Sequence, residues 1–176
     1  MRYSVSGPVK VLVGVLFSVL AGVPVCGAAH ADPIHGSCSG GELRWDVVDG
    51  SISMVPRQVT FVTSGVWKDC VGIDGITGAT VAGVHRSMSS CVQPADGPLT
   101  FTVDWSNGAT STVWGDWPVG MVQPTVGELA VVDGLGAGGR VRIVANYNVW
   151  APETVIGCLT GGISSGTGMV QSITFL

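Results

Sequence analysis

Leu99, Phe101, Val103 and Trp105 alternate with Thr100, Thr102 and Asp104, so every second side chain along this stretch is large and apolar. A strand with one face in a core and the other in water has this period of two. The pattern recurs along the chain. Leu43, Trp45 and Val47 alternate with Glu42, Arg44 and Asp46; Val59, Phe61 and Thr63 alternate with Gln58, Thr60 and Val62. Val141, Ile143, Ala145 and Tyr147 alternate with Arg142, Val144 and Asn146. Val126, Leu129 and Val131 mark a further strand, and Met169 to Phe175 the last. Turn chemistry falls between the runs, at Asp49-Gly50, Asn107-Gly108 and the cluster from Gly134 to Gly139. Asn-Gly between two alternating runs is a strong hairpin signal, because both residues tolerate the positive φ of a type I′ turn. We find no apolar i, i+3, i+4, i+7 stripe after residue 31, and the frequent Gly and Thr weigh against helices. The expected fold is all-β: an antiparallel β-sandwich, immunoglobulin-like or jelly-roll-like, with a small β-barrel as the alternative.

Residues 1–31 read as an address. Arg2 and Lys10 precede an apolar run from Val11 to about Val25, closed by Gly27-Ala28-Ala29-His30-Ala31. A basic start, a short apolar core and an A-x-A site are the three parts of a secretory signal peptide. Cleavage is expected between Ala31 and Asp32, leaving 32–176 as a single secreted domain. Gly22 and Pro24 interrupt the run before it reaches the roughly 20 apolar residues of a membrane span. No paired arginine points to the twin-arginine route. Cys26 lacks the small residue that precedes a lipidated cysteine. The expected protein is extracellular, with no membrane attachment once the leader is removed.

Without Arg2 and Lys10, six basic and twelve acidic side chains remain, a net charge of −6 against −4 for the whole chain. Nucleic-acid binding rests on neutralising phosphates with Lys and Arg, so that class is excluded. With 11% charged and 46% hydrophobic residues, the chain has the composition of a folded domain rather than a disordered one. Its four remaining cysteines, Cys38, Cys70, Cys91 and Cys158, include no C-x-x-C. An even number in an exported chain reads as two disulfides, and no metal site or cofactor is expected. Of the three connectivities, Cys38–Cys70 with Cys91–Cys158 is favoured, because the first pair could close the ends of a strand meander.

Several motifs resemble chemistry. Gly134 to Gly139 satisfies G-x-G-x-x-G, but a dinucleotide site needs a helix next, and Arg140 to Val144 reads as a strand. Gly162-Ile163-Ser164-Ser165-Gly166 satisfies G-x-S-x-G, yet no His, Asp or Glu follows to complete a triad. Asp46, Asp49, Asp74, Asp96, Asp104, Asp116 and Asp133 lie mostly in or beside turns, where Asp bonds locally. His35 and His85 are the only histidines past the leader. Of the six tryptophans, Trp45 and Trp105 fit inward strand positions. Trp114-Gly115-Asp116-Trp117-Pro118 reads as a turn carrying two large aromatics, and Trp114 and Trp117 are the candidate ligand contacts.

The order of these features resembles that of small actinobacterial secreted proteins of unknown function. The matching points are Cys38-Ser39-Gly40, Gly65 before Cys70, Cys91, the segment Val103 to Thr112 around Trp105-Ser106-Asn107-Gly108, the glycines to Gly139, Cys158 with Gly161 and Gly162, and Gly168 to Phe175. Where that group often has a Pro-Gly turn after the first strand, Val48-Asp49-Gly50-Ser51 stands here. The resemblance implies a secreted four-cysteine all-β domain and no activity or catalytic residue.

The leading functional expectation is a non-enzymatic extracellular protein that binds a partner protein or a cell-wall glycan through exposed aromatics. The alternative is a secreted hydrolase acting on an extracellular polymer, with a carboxylate pair or His85 as the acid–base group. A third is a structural surface protein without a discrete site.

Overall fold

The computed structural model describes residues 34–73, 75–93 and 95–176; the expected leader and its cleavage point at Ala31 and Asp32 lie outside the described residues. Eight strands follow in order: β1 (Gly36–Val47), β2 (Arg57–Val71), β3 (Ala79–Ser89), β4 (Ala95–Trp105), β5 (Thr110–Val119), β6 (Thr125–Gly134), β7 (Arg140–Tyr147) and β8 (Ser165–Phe175). One helix, α1 (Pro152–Thr160), interrupts the connection from β7 to β8.

Each strand pairs antiparallel with the next in sequence, and β1 pairs with β8, from Gly36 opposite Phe175 to Asp46 opposite Ser165. The sheet is a closed barrel, so the favoured sandwich gives way to the alternative architecture. Inward–outward alternation is common to sandwiches and barrels. What separates them is the register between first and last strands, which no local pattern encodes. Closure also leaves no edge strand unpaired.

The inward set is the apolar one read from the sequence. Val59, Phe61, Leu99, Phe101, Val103, Trp105, Val141, Ile143 and Ala145 are all buried. Glycines on inward positions make room for large neighbours, the small–large alternation of narrow barrels. Gly83 faces Phe101 across the β3–β4 pair, and a Cβ on Gly127 would stand 2.5 Å from the Trp117 ring.

One pole is filled. Trp67 and Trp105 meet edge to face with centroids 5.7 Å apart, and Phe175 lies 5.5 Å from Trp105. Trp105 Nε1 donates to Ser111 Oγ at 2.8 Å, and Ser111 passes its own proton to Leu135 O at 2.7 Å, so the buried indole leaves no donor unmet. Cys38 and Cys70, opposite each other in the β1–β2 register, form a disulfide at this pole. Ile34 rests against Gly136, and Leu176 N donates to Arg140 O at 2.9 Å, which places both ends of the described chain here.

The Asn107-Gly108 turn joins β4 to β5, with Gly108 at φ 86° and Asn107 Oδ1 accepting from Ala109 N at 3.0 Å. Gly134 to Gly139 turns β6 into β7. Asp49-Gly50 departs from the tight hairpin its sequence suggests. It opens a longer connection, 48–56, whose course Arg57 fixes by donating to Asp49 O at 2.9 Å and Ser51 O at 3.0 Å. The expectation of no helix is corrected by α1.

Candidate functional site

At the other pole four connections, with described residues 48–56, 90–93, 120–124 and 148–164, surround an opening. In a ring of eight strands the β3–β4 and β7–β8 connections stand on opposite sides. The Cys91–Cys158 disulfide joins these two connections, so the segment carrying α1 must cross the mouth. Its far end is pinned by reciprocal hydrogen bonds between Ile52 and Ile163, at 2.7 and 2.9 Å. Cys91 N also donates to Ser53 O at 2.9 Å. Packing contributes little to holding the helix, because none of its residues is buried. It starts on Pro152 with no side-chain cap from Ala151 and ends at Gly161.

Beneath α1 lies a cavity of about 490 Å³. This is within the range of roughly 300–1,000 Å³ typical of small-molecule sites, which barrels hold at their mouths. Trp45 and Phe61 form one wall, packed edge to face with centroids 5.7 Å apart, and the His85 ring lies 5.7 Å beyond Phe61. Val155, Cys158 and Leu159 of α1 line the cavity from above. Thr63, His85 and Tyr147 bound both this cavity and a smaller void of about 70 Å³ deeper in the barrel, so they form its floor. Around the mouth Met54, Val55, Val92, Val122, Trp150 and Ile156 are exposed.

The floor is polar and held in place. His85 Nε2 lies 3.1 Å from Gly97 O, and because a carbonyl only accepts, Nε2 carries the proton and Nδ1 is the acceptor in the neutral ring. Burial pushes the His85 pKa below its ordinary value, against smaller opposing effects from the Gly97 bond and the Asp96 charge. Tyr147 is fixed at both ends: its N–H donates to Gln123 Oε1 at 3.0 Å, and its hydroxyl accepts from Trp117 Nε1 at 2.8 Å. Burial raises its pKa to about 12, the Trp117 bond opposing, so the phenol keeps its proton at any physiological pH. Among the described lining residues Glu153, in the first turn of α1, is the one formally charged at neutral pH; none is Lys or Arg. No group of three or more His, Cys, Asp or Glu side chains suited to a metal ion occurs among the described residues.

No protein-family model, curated protein or solved structure matches this chain.

The two candidate tryptophans are not brought together. Trp114 is 52% exposed on the outer wall, whereas Trp117 is 3% exposed and points inward. The stretch read as a turn continues as β5, and residues three apart in a strand lie on opposite faces. Pro118, with no N–H to give, falls where β5 pairs with β4 alone and not with β6. The cysteines pair as Cys38–Cys70 and Cys91–Cys158. His85 reaches the cavity, but its hydrogen bond goes to a backbone carbonyl rather than to a carboxylate or a nucleophile. Asp46, Asp49, Asp96, Asp104, Asp116 and Asp133 line neither cavity, and Ser164 follows a helix instead of preceding one, the reverse of a nucleophile elbow. Sequence reasoning missed Phe61, Thr63, Tyr147 and α1 as parts of a site. Trp45 and Tyr147 carried a signal, since each is a large inward residue near a strand end, next to a long connection.

Proposed function

We propose that the chain is exported and works outside the cell as a non-enzymatic binding protein that holds a small, largely apolar molecule in the open pole of its barrel. The observation that carries this reading is the cavity of about 490 Å³ walled by Trp45 and Phe61 and crossed by a disulfide-tethered helix. Two disulfides suggest an oxidising environment, and among the described residues no helix is long and apolar enough to cross a membrane. Likeness to the small actinobacterial secreted proteins belongs to the same proposal. Recognition of a partner protein or cell-wall glycan through exposed aromatics would rest on Trp114 and Trp150 rather than on Trp114 with Trp117. A hydrolase would need an acid or nucleophile positioned on His85.

An apolar environment-sensitive fluorophore added to the extracellular protein should brighten with one-to-one stoichiometry and quench tryptophan emission, with much of the quenching lost in Trp45→Phe. An unchanged fluorophore spectrum at saturating protein would remove the reading. N-terminal sequencing of the secreted product should begin at Asp32; a product retaining Met1 would remove the export half.

A further inference from the structure

Resting on that reading of the cavity, we infer that its ligand is a neutral amphiphile headed by a hydroxyl group, with the hydroxyl seated on the floor between His85 and Tyr147. The apolar walls set the body of the molecule, and the floor sets its head.

His85 Nε2 spends its proton on Gly97 O at 3.1 Å, so Nδ1 is left as an acceptor, and it has no protein donor among the described residues. No buried side-chain nitrogen or oxygen among them lacks a partner, so an Nδ1 without one is not sealed in the wall but open to the space that His85 lines, the cavity and the smaller void beneath it. Tyr147 is complementary. Its oxygen receives the Trp117 proton at 2.8 Å, and its own O–H has no acceptor among the described residues. Thr63 adds a hydroxyl that can give or take on the same floor. One free acceptor and one free donor select a group that is both. A hydroxyl donates to His85 Nδ1 and accepts from Tyr147 O–H. An ether can use only the second bond, and a hydrocarbon neither.

Charge narrows the class further. A carboxylate head would enter a cavity with no Lys or Arg among its described lining residues and with Glu153 on the helix above it. Burying an unpaired anion there is disfavoured. Fatty acids and phosphate-headed lipids are therefore excluded as preferred ligands, while long-chain alcohols and other hydroxyl-headed lipids fit.

Displacement of a bound apolar fluorophore from the full disulfide-bonded protein tests this with four probes of one chain length: dodecane, the methyl ether of dodecanol, dodecanol and dodecanoate. Dodecanol should bind about tenfold more tightly than the ether, the scale of one net hydrogen bond within a closed site, and more tightly than dodecanoate at neutral pH. In Tyr147→Phe, dodecanol and the ether should weaken together, keeping their ratio. In His85→Phe the ratio should fall to about one. The wild-type series stands on its own if either variant fails to fold. Equal affinity for dodecane, ether and alcohol, or a preference for dodecanoate, overturns the assignment of the floor while leaving the cavity a binding site. Failure of all four probes and of the fluorophore overturns the cavity reading itself.

Discussion

Trp114 and Trp117 sit three positions apart, and in an extended chain an odd separation sends two side chains to opposite faces. Their energetic roles should differ accordingly. Trp117→Ala empties a buried site against Gly127 and strips Tyr147 of its donor, and should lower the unfolding free energy by about 3–5 kcal/mol. Trp114→Ala removes a half-exposed side chain and should cost less than about 1 kcal/mol. Urea unfolding of the two variants checks both; comparable losses would contradict the placement of these rings. His85 makes a second prediction at this scale. Its folded pKa lies below the ordinary 6.5, so on acidification the unfolded chain takes up a proton that the folded chain resists. Stability is thus full above about pH 6.5 and declines below it, until the folded imidazole itself protonates. Glu42, held low by Lys68, acts in a separate and more acidic window, below 4.5. Urea midpoints measured between about pH 7.5 and about pH 5 should fall for the wild type and fall less for His85→Gln; parallel slopes would assign the decline to another group.

Among the elements, strands were legible and the helix was not. The inward faces of β4 from Leu99 to Trp105 and of β7 from Val141 to Ala145 are uninterrupted rows of apolar side chains, and their period of two is visible without a structure. On β3 the inward face is Ala79, Val81, Gly83, His85, Ser87 and Ser89, too small and polar to show the pattern. Ser87 and Ser89 satisfy each other at 2.6 Å, so a polar inner face is affordable there. The helix α1 is nine residues long, and its apolar side Val155, Cys158 and Leu159 covers a single turn, too short to stand out as a helical period. Pro152-Glu153 at its start and Gly161-Gly162 at its end were the available signals, a proline for the first turn and glycines for the stop. Because its N-cap lacks a side-chain acceptor, Ala151→Ser should stabilise the helix by about 1 kcal/mol. Hydrogen exchange should then slow at residues 155–160 while global stability changes little. Replacing both Cys91 and Cys158 by Ala should have the opposite effect. It should lower global stability by about 2–4 kcal/mol and speed release of an apolar fluorophore, measured by stopped flow. An unchanged release rate would mean that α1 does not gate the mouth.

For the whole molecule, the fold class was legible and the closure was not, because the pairing of β1 with β8 joins residues from opposite ends of the chain. The two disulfides divide between the poles. Their loops span 32 and 67 residues, a difference worth only about 0.6 kcal/mol in the chain-entropy account. Removing Cys38–Cys70 by paired Ala substitutions should therefore lower the unfolding midpoint by about as much as removing Cys91–Cys158. Unlike the latter, it should leave fluorophore release unchanged, since the bond lies at the filled pole. Both ends of the described chain meet at that same pole, beside Gly136 and Arg140. A dye, resin or reporter domain joined to Leu176 would therefore stand behind the cup rather than over it, and an immobilised layer of this protein would present every mouth outward to the solution it samples.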